Sequence, residues 1–128
     1  MPIEQELRLH RCCFTGHRPE KIALPEHKVV AALEKEICAA IDAGFTTFIS
    51  GMARGSDIWA AEIVLRLRRK NPALHLIAAS PYDGFEKSWS LDWQKRYAAI
   101  MAEADLIRFI CDHYSKSCFQ IRNVWMVD

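Results

Sequence analysis

The chain has 128 residues, 51% hydrophobic and 26% charged, a length and balance that suit one packed core, leave no room for two, and exclude a disordered segment. A formal net charge of +1 gives no global field for nucleic acid, and the absence of a long uncharged apolar run excludes a membrane span. Residues 1–11 are mixed and charged, without the basic-then-apolar order of a secretory signal, so a cytoplasmic protein is expected. Five cysteines (Cys12, Cys13, Cys38, Cys111, Cys118) make an odd set without a CxxC pair, which argues against a disulfide framework and against zinc. Most read as small buried hydrophobes, and neither a metal nor a resident cofactor is expected.

In chain order, residues 11–14 form a short apolar run that reads as a strand, stopped by Thr15-Gly16-His17-Arg18-Pro19. From Glu26 the period changes: Val29 or Val30, Leu33, Ile37 and Ile41 recur as one face of a helix that ends at Gly44, a natural left-handed cap. Residues 45–50 are rich in aromatic and β-branched types, predicting a second strand that runs into the glycine-punctuated turn at residues 51–57. Ser56 or Asp57 then caps a helix through Lys70, with Ile58, Ala61 and Leu65 on one face and Pro72 beyond its end. Residues 75–79 predict a third strand, followed by a loop from Ser80 through Trp89. Trp93, Tyr97, Ile100 and Ala104 predict a third helical face, residues 106–111 a fourth strand, and residues 119–128 the start of a further helix.

This alternation of strands and helices predicts one Rossmann-like α/β domain over residues 1–128. It is a three-layer sandwich whose mostly parallel sheet has at least four strands, with helices on both faces. Ligands in such folds bind outside the carboxyl ends of the strands, where strand order reverses, so three loops matter most: residues 15–19, 50–57 and 80–89.

Their residue types agree with one another. Gly16, Gly51 and Gly55 allow backbone to approach a ligand closely, the start of the second helix offers unpaired N–H groups, Arg18 and Arg54 supply forked cationic donors, and Thr15, Ser50 and Ser56 supply hydroxyls. A phosphorylated ligand is the natural expectation, with His17, Met52, Asp57 and Pro81 in the same loops completing the candidate set. The plainer alternative is that Gly51 and Gly55 merely let a strand turn into a helix that Asp57 caps. Neither a P-loop ending nor GxGxxG is present, so ATP hydrolysis and dinucleotide redox chemistry lack support. The carboxylates that a nucleoside hydrolase would need are Glu62, Asp57 or Asp83, although Glu62 equally suits an i,i+4 pair with Arg66. Arg66, Arg68, Arg69 and Lys70 complement a helix C-terminus and require no partner.

The phrases Thr15-Gly16-His17-Arg18-Pro19 and Ser50-Gly51-Met52-Ala53-Arg54-Gly55-Ser56-Asp57-Ile58-Trp59-Ala60-Ala61-Glu62 resemble the YpsA-like branch of the SLOG superfamily. So does the stretch Arg122-Asn123-Val124-Trp125-Met126-Val127-Asp128. That superfamily includes the DNA-processing protein DprA, the lonely-guy phosphoribohydrolases and proteins thought to sense nucleotide derivatives. The resemblance implies a Rossmann-like sheet and a nucleotide-type ligand, with Gly16, Arg18, Ser50, Gly51, Gly55 and Asp57 at the pocket and Arg122 and Asn123 approaching from the last element. The Pro-Gly-Gly-x-Gly-Thr-x-x-Glu motif of the lonely-guy enzymes is absent. Family members continue past Met-Val-Asp into another strand and helix, so the resemblance implies that the fourth strand is left as an apolar edge and that the chain self-associates.

The leading expectation is therefore a nucleotide or nucleotide-derivative binding domain with a sensing or regulatory role. Two others stay open: a nucleotide N-glycosidase, and a single-stranded DNA binder using Arg66 to Lys70 with exposed aromatic rings.

Overall fold

The computed structural model describes residues 11–14 by their backbone, residues 25–111, and Ile121 and Arg122. Four strands, β1 (Arg11–Phe14), β2 (Thr47–Ser50), β3 (His75–Ser80) and β4 (Leu106–Phe109), form a wholly parallel sheet in sequence order. Between them run α1 (Glu26–Asp42), α2 (Ser56–Arg68) and α3 (Leu91–Glu103), with a 3-10 turn at Phe85–Ser88 before α3. The chain is an α/β protein of Rossmann-like type. The described strands show no reversal of order, so no switch point lies among them and the carboxyl ends alone mark the edge where such folds bind ligands.

Each helix is where its apolar spacing predicts. Ile37 of α1 is buried, with Val30, Leu33 and Ile41 packed beside it. The helix ends as Gly44 turns to φ +102°, letting the Gly44 N–H reach the Ile41 carbonyl and the Phe45 N–H reach that of Ala40, both at 3.0 Å. In α2 the burial exceeds a single stripe, taking in Asp57, Ile58, Trp59, Ala60, Ala61, Ile63, Val64 and Leu65. The cause is its central place, flanked by α1 and α3 and laid on the sheet.

The pleat sorts the core into two sides. Phe48, Leu76 and Ala78 face the helices, together with Ile37, Ile58, Val64, Tyr97 and Ile100. Ile49, Ile77 and Ala79 face the other way, with Leu106 and Ile110 against them, and are buried as well. Both faces of the sheet are thus covered. The three long helices among the described residues all lie on the Phe48 side, as right-handed crossovers between strands in sequence order require. Among the described strands β4 is last in the order and pairs with β3, and Phe109 is 46% exposed.

Two expectations need correcting here. Cys38 is exposed and Cys111 half-buried, so these two are not core residues: Cys38 lies on the solvent-facing side of α1, and Cys111 lies beyond the end of β4. The predicted Glu62–Arg66 pair does not form, because each side chain faces a neighbouring helix: Arg66 pairs with Glu34 of α1, and Glu62 with Arg96 of α3. The final helix expected over residues 119–128 is described only at Ile121 and Arg122, which are helical.

Candidate functional site

The parallel sheet brings the loops after β2 and β3 to one edge. At the end of β2 the Ser50 hydroxyl donates to the Asp57 carbonyl oxygen at 2.9 Å and accepts from the Met52 N–H at 3.2 Å. The Asp57 carboxylate turns back to accept the Ala53 N–H at 3.3 Å. A strand-to-helix turn of this kind leaves main-chain groups without a ladder partner, and these two side chains satisfy them from within. The N-cap of α2 is Gly55, at φ +92°, and Asp57 braces the turn before the helix instead of capping it. Met52 also has a positive φ, of 63°, and its side chain is fully buried in the helix-side core, so its main chain alone faces the loop.

Gly51 is fixed by crowding. A Cβ on it would lie 2.9 Å from the Asp57 Oδ2 and 3.1 Å from the Arg122 Cζ. Arg122 is 7% exposed and donates through Nη1 to the Gly51 carbonyl at 2.7 Å. Ser50, Gly51, Asp57 and Arg122 therefore form one buried polar knot at the carboxyl end of β2. The knot uses the Met52 and Ala53 amides, which narrows the expected cradle to the tip of the loop, where Ala53, Arg54 and Ser56 are half-buried.

From the β3 side, Ser80 and Pro81 are buried, and the loop beyond them carries Tyr82, Phe85 and Trp89, all half-buried. Tyr97 of α3 donates to the Ser80 Oγ at 2.8 Å. Burial pushes the Tyr97 phenol up to about 12; the Ser80 bond acts in the opposite sense, and the nearby Glu86 and Asp83 charges add to the rise. Arg54 lies over the Trp89 ring, 5.8 Å from its centroid, so the two loops meet at that pair. Trp89 and its aromatic neighbours carry no periodic signal in the sequence; what marks them is three rings in one short loop after β3.

Glu62 is committed elsewhere. Arg96 donates from Nε and Nη2 to its two carboxylate oxygens at 3.0 and 2.7 Å, and from Nη1 to Glu26 at 3.2 Å. The Glu62 bond is the main cause of the raised Arg96 pKa; burial acts in the opposite sense and Glu26 adds to the rise. Asp83 is exposed in the loop after β3. Thr15, Gly16, His17, Arg18 and Asn123 lie outside the described residues. Among the described residues no three His, Cys, Asp or Glu side chains gather as they would around a metal ion, and no helix is long and apolar enough to cross a membrane.

Sequence comparison matches the model of the YspA SLOG family to residues 12–128. The chain belongs to the YspA SLOG family. Among curated relatives, a UPF0398 protein of Halalkalibacterium halodurans is 26% identical over 115 residues, covering 85% of this chain and 61% of the relative. One of Bacillus pumilus is 25% identical over 122 residues, covering 89% and 66%. One of Lysinibacillus sphaericus is 28% identical over 103 residues, covering 76% and 58%. This YspA SLOG chain thus spans less than two thirds of the length of the curated relatives it matches. Membership of a SLOG family points to a nucleotide-related role.

Proposed function

We propose that this chain binds a nucleotide or nucleotide derivative at the carboxyl edge of its sheet and acts as a sensing or regulatory domain. The observation that carries the reading is the meeting of Arg54 with Trp89, which sets a guanidinium from the β2 loop beside an aromatic ring from the β3 loop. A phosphate has its donors at the loop tip: the Arg54 guanidinium, the Ser56 hydroxyl and the first turn of α2, whose dipole favours an anion. It is kept away from Gly51 by the Asp57 carboxylate buried there. The buried knot stabilises the turn that presents these donors, and Gly51 is the residue that lets it close.

A single-stranded DNA role through the basic end of α2 has less in its favour. Arg66 is paired with Glu34 and Arg68 with Asp105, which precedes β4, so that end of the helix lies at the amino edge of the sheet, away from the loops. For a hydrolase, Glu62 is engaged by Arg96, which leaves Asp57 as the buried carboxylate at the edge.

Thermal-shift measurement with nucleoside mono- and diphosphates tests the binding reading. The wild-type chain should gain stability with at least one of them, and Arg54→Ala should lose that gain; equal indifference of both proteins to every nucleotide would overturn it. Release of free base from a nucleoside monophosphate, abolished by Asp57→Asn, would move the reading to a hydrolase.

A further inference from the structure

We propose that the groove between α3 and β4 is a docking site for a basic amphipathic helix of a partner protein, which lies beside α3 as α2 does on its other flank. The inference does not rest on the nucleotide reading, because none of the groove's lining residues is among the donors invoked there.

The groove has a volume of about 590 Å³. Its floor is apolar, made by Tyr97, Ala98, Met101 and Ala102 of α3 with Ile107 and Phe109 of β4. The four α3 positions share one helical face, and Ile107 and Phe109, two residues apart, point to the side of the sheet that carries the helices. Among the described helices α2 has a neighbour on each flank, whereas α3 has α2 on one flank and this groove on the other. Ala98 and Ala102 are exposed, Met101 is half-buried and Phe109 is 46% exposed, so an apolar strip of the kind that helices cover elsewhere in the layer faces solvent. Two alanines four residues apart let another helix axis approach to about 8 Å.

The rim selects the partner. Asp83 and Glu86 stand on it, and no Lys, Arg or His lines the groove. Neither carboxylate makes an ion pair among the described residues. Their charge reaches the floor: after burial, Glu86 and Asp83 both push the Tyr97 phenol upward. Two acids above an apolar floor complement Lys or Arg flanking an apolar stripe. A second copy docked groove to groove would set acid against acid. The last described helical residues of the chain are committed elsewhere, since Arg122 is held at Gly51 at the end of β2, and β3 lies between β2 and β4.

Fluorescence anisotropy with labelled synthetic peptides and the whole chain tests the proposal. Three probes are compared: a peptide with Leu at i, i+3, i+4 and i+7 and Lys elsewhere, the same leucine stripe with Glu in place of Lys, and a peptide alternating Leu and Lys residue by residue. The wild-type chain should bind the lysine helix at least about tenfold more tightly than the glutamate helix, the upper range for two exposed ion pairs, and the preference should shrink in high salt. Asp83→Asn with Glu86→Gln should remove the preference. Ala98→Arg should abolish binding of the lysine helix, whereas Ala99→Arg, the same change at the next exposed position, which faces the crevice toward α2, should leave it intact. Equal effects of these two substitutions, tighter binding of the glutamate or the alternating peptide, or no binding of any probe would overturn the proposal. So would sedimentation showing that the chain alone forms a dimer that Ala98→Arg dissociates, because the groove would then belong to a second copy.

Discussion

Arg122 lies 71 residues beyond Gly51 in the chain, yet it donates to the Gly51 carbonyl oxygen at 2.7 Å. The bond ties the last described element to the turn that ends β2, and it does so with a guanidinium that is 7% exposed. A buried carbonyl of this kind has no water to fall back on, so its partner matters more than an average hydrogen bond.

Replacing Arg122 with methionine keeps much of the bulk and removes the donor. Leaving a buried acceptor unpaired costs about 1–3 kcal/mol, and loss of charge beside buried Asp57 adds to it. Urea unfolding should show the midpoint falling while the slope stays constant.

Gly51→Ala tests the same knot from inside. A Cβ there must displace the Asp57 carboxylate or the Arg122 guanidinium, and forcing extra bulk into a packed site costs about 1–3 kcal/mol. The expected result is a lower melting temperature together with loss of any nucleotide-induced stabilisation. A variant as stable as wild type would show that the turn has slack.

Glu62→Gln separates a structural carboxylate from a catalytic one. Glu62 and Arg96 are both partly exposed, so the change should cost only about 1 kcal/mol, or roughly 4 °C in melting temperature. Ligand binding should be unchanged. Loss of binding without loss of stability would return Glu62 to the site.

Asp105 supplies a pH signature. Burial alone would raise its carboxyl, but the Leu76 N–H at 2.7 Å and Arg68 at 2.7 Å overcome that and hold it below its ordinary value. A depressed folded-state pKa means stability that is present above the unfolded value and lost as pH falls through the folded one. Denaturation followed from neutral pH into the acid range should therefore show a decline that is shallower in Asp105→Asn, which is already less stable at neutral pH.

Much of the fold could be read from local pattern, because local chemistry decides it. The stripe of Val30, Leu33, Ile37 and Ile41 and the positive φ of Gly44 set α1 and its end, and four short apolar runs set the strands. What local pattern could not show is pairing across the chain. Glu62 and Arg66 stand one turn apart, yet each finds a partner on another helix, since α2 is flanked on both sides. The glycine turn after β2 was recognisable as a site, but the use of its amides by Ser50 and Asp57 depends on how the backbone turns back. Trp89 has no signal in the sequence because an aromatic residue in a loop carries no period, and its meaning comes from Arg54 arriving beside it.

Backbone amide NMR during titration with AMP tests the central claim most directly, because it reports where a ligand touches. The predicted result is a saturable set of shifts concentrated at Ala53, Arg54, Gly55 and Ser56 and along the loop carrying Tyr82, Phe85 and Trp89. Shifts confined to the far end of α2 around Arg66 and Arg69, or no saturable shift at all, would contradict a nucleotide site at the carboxyl edge.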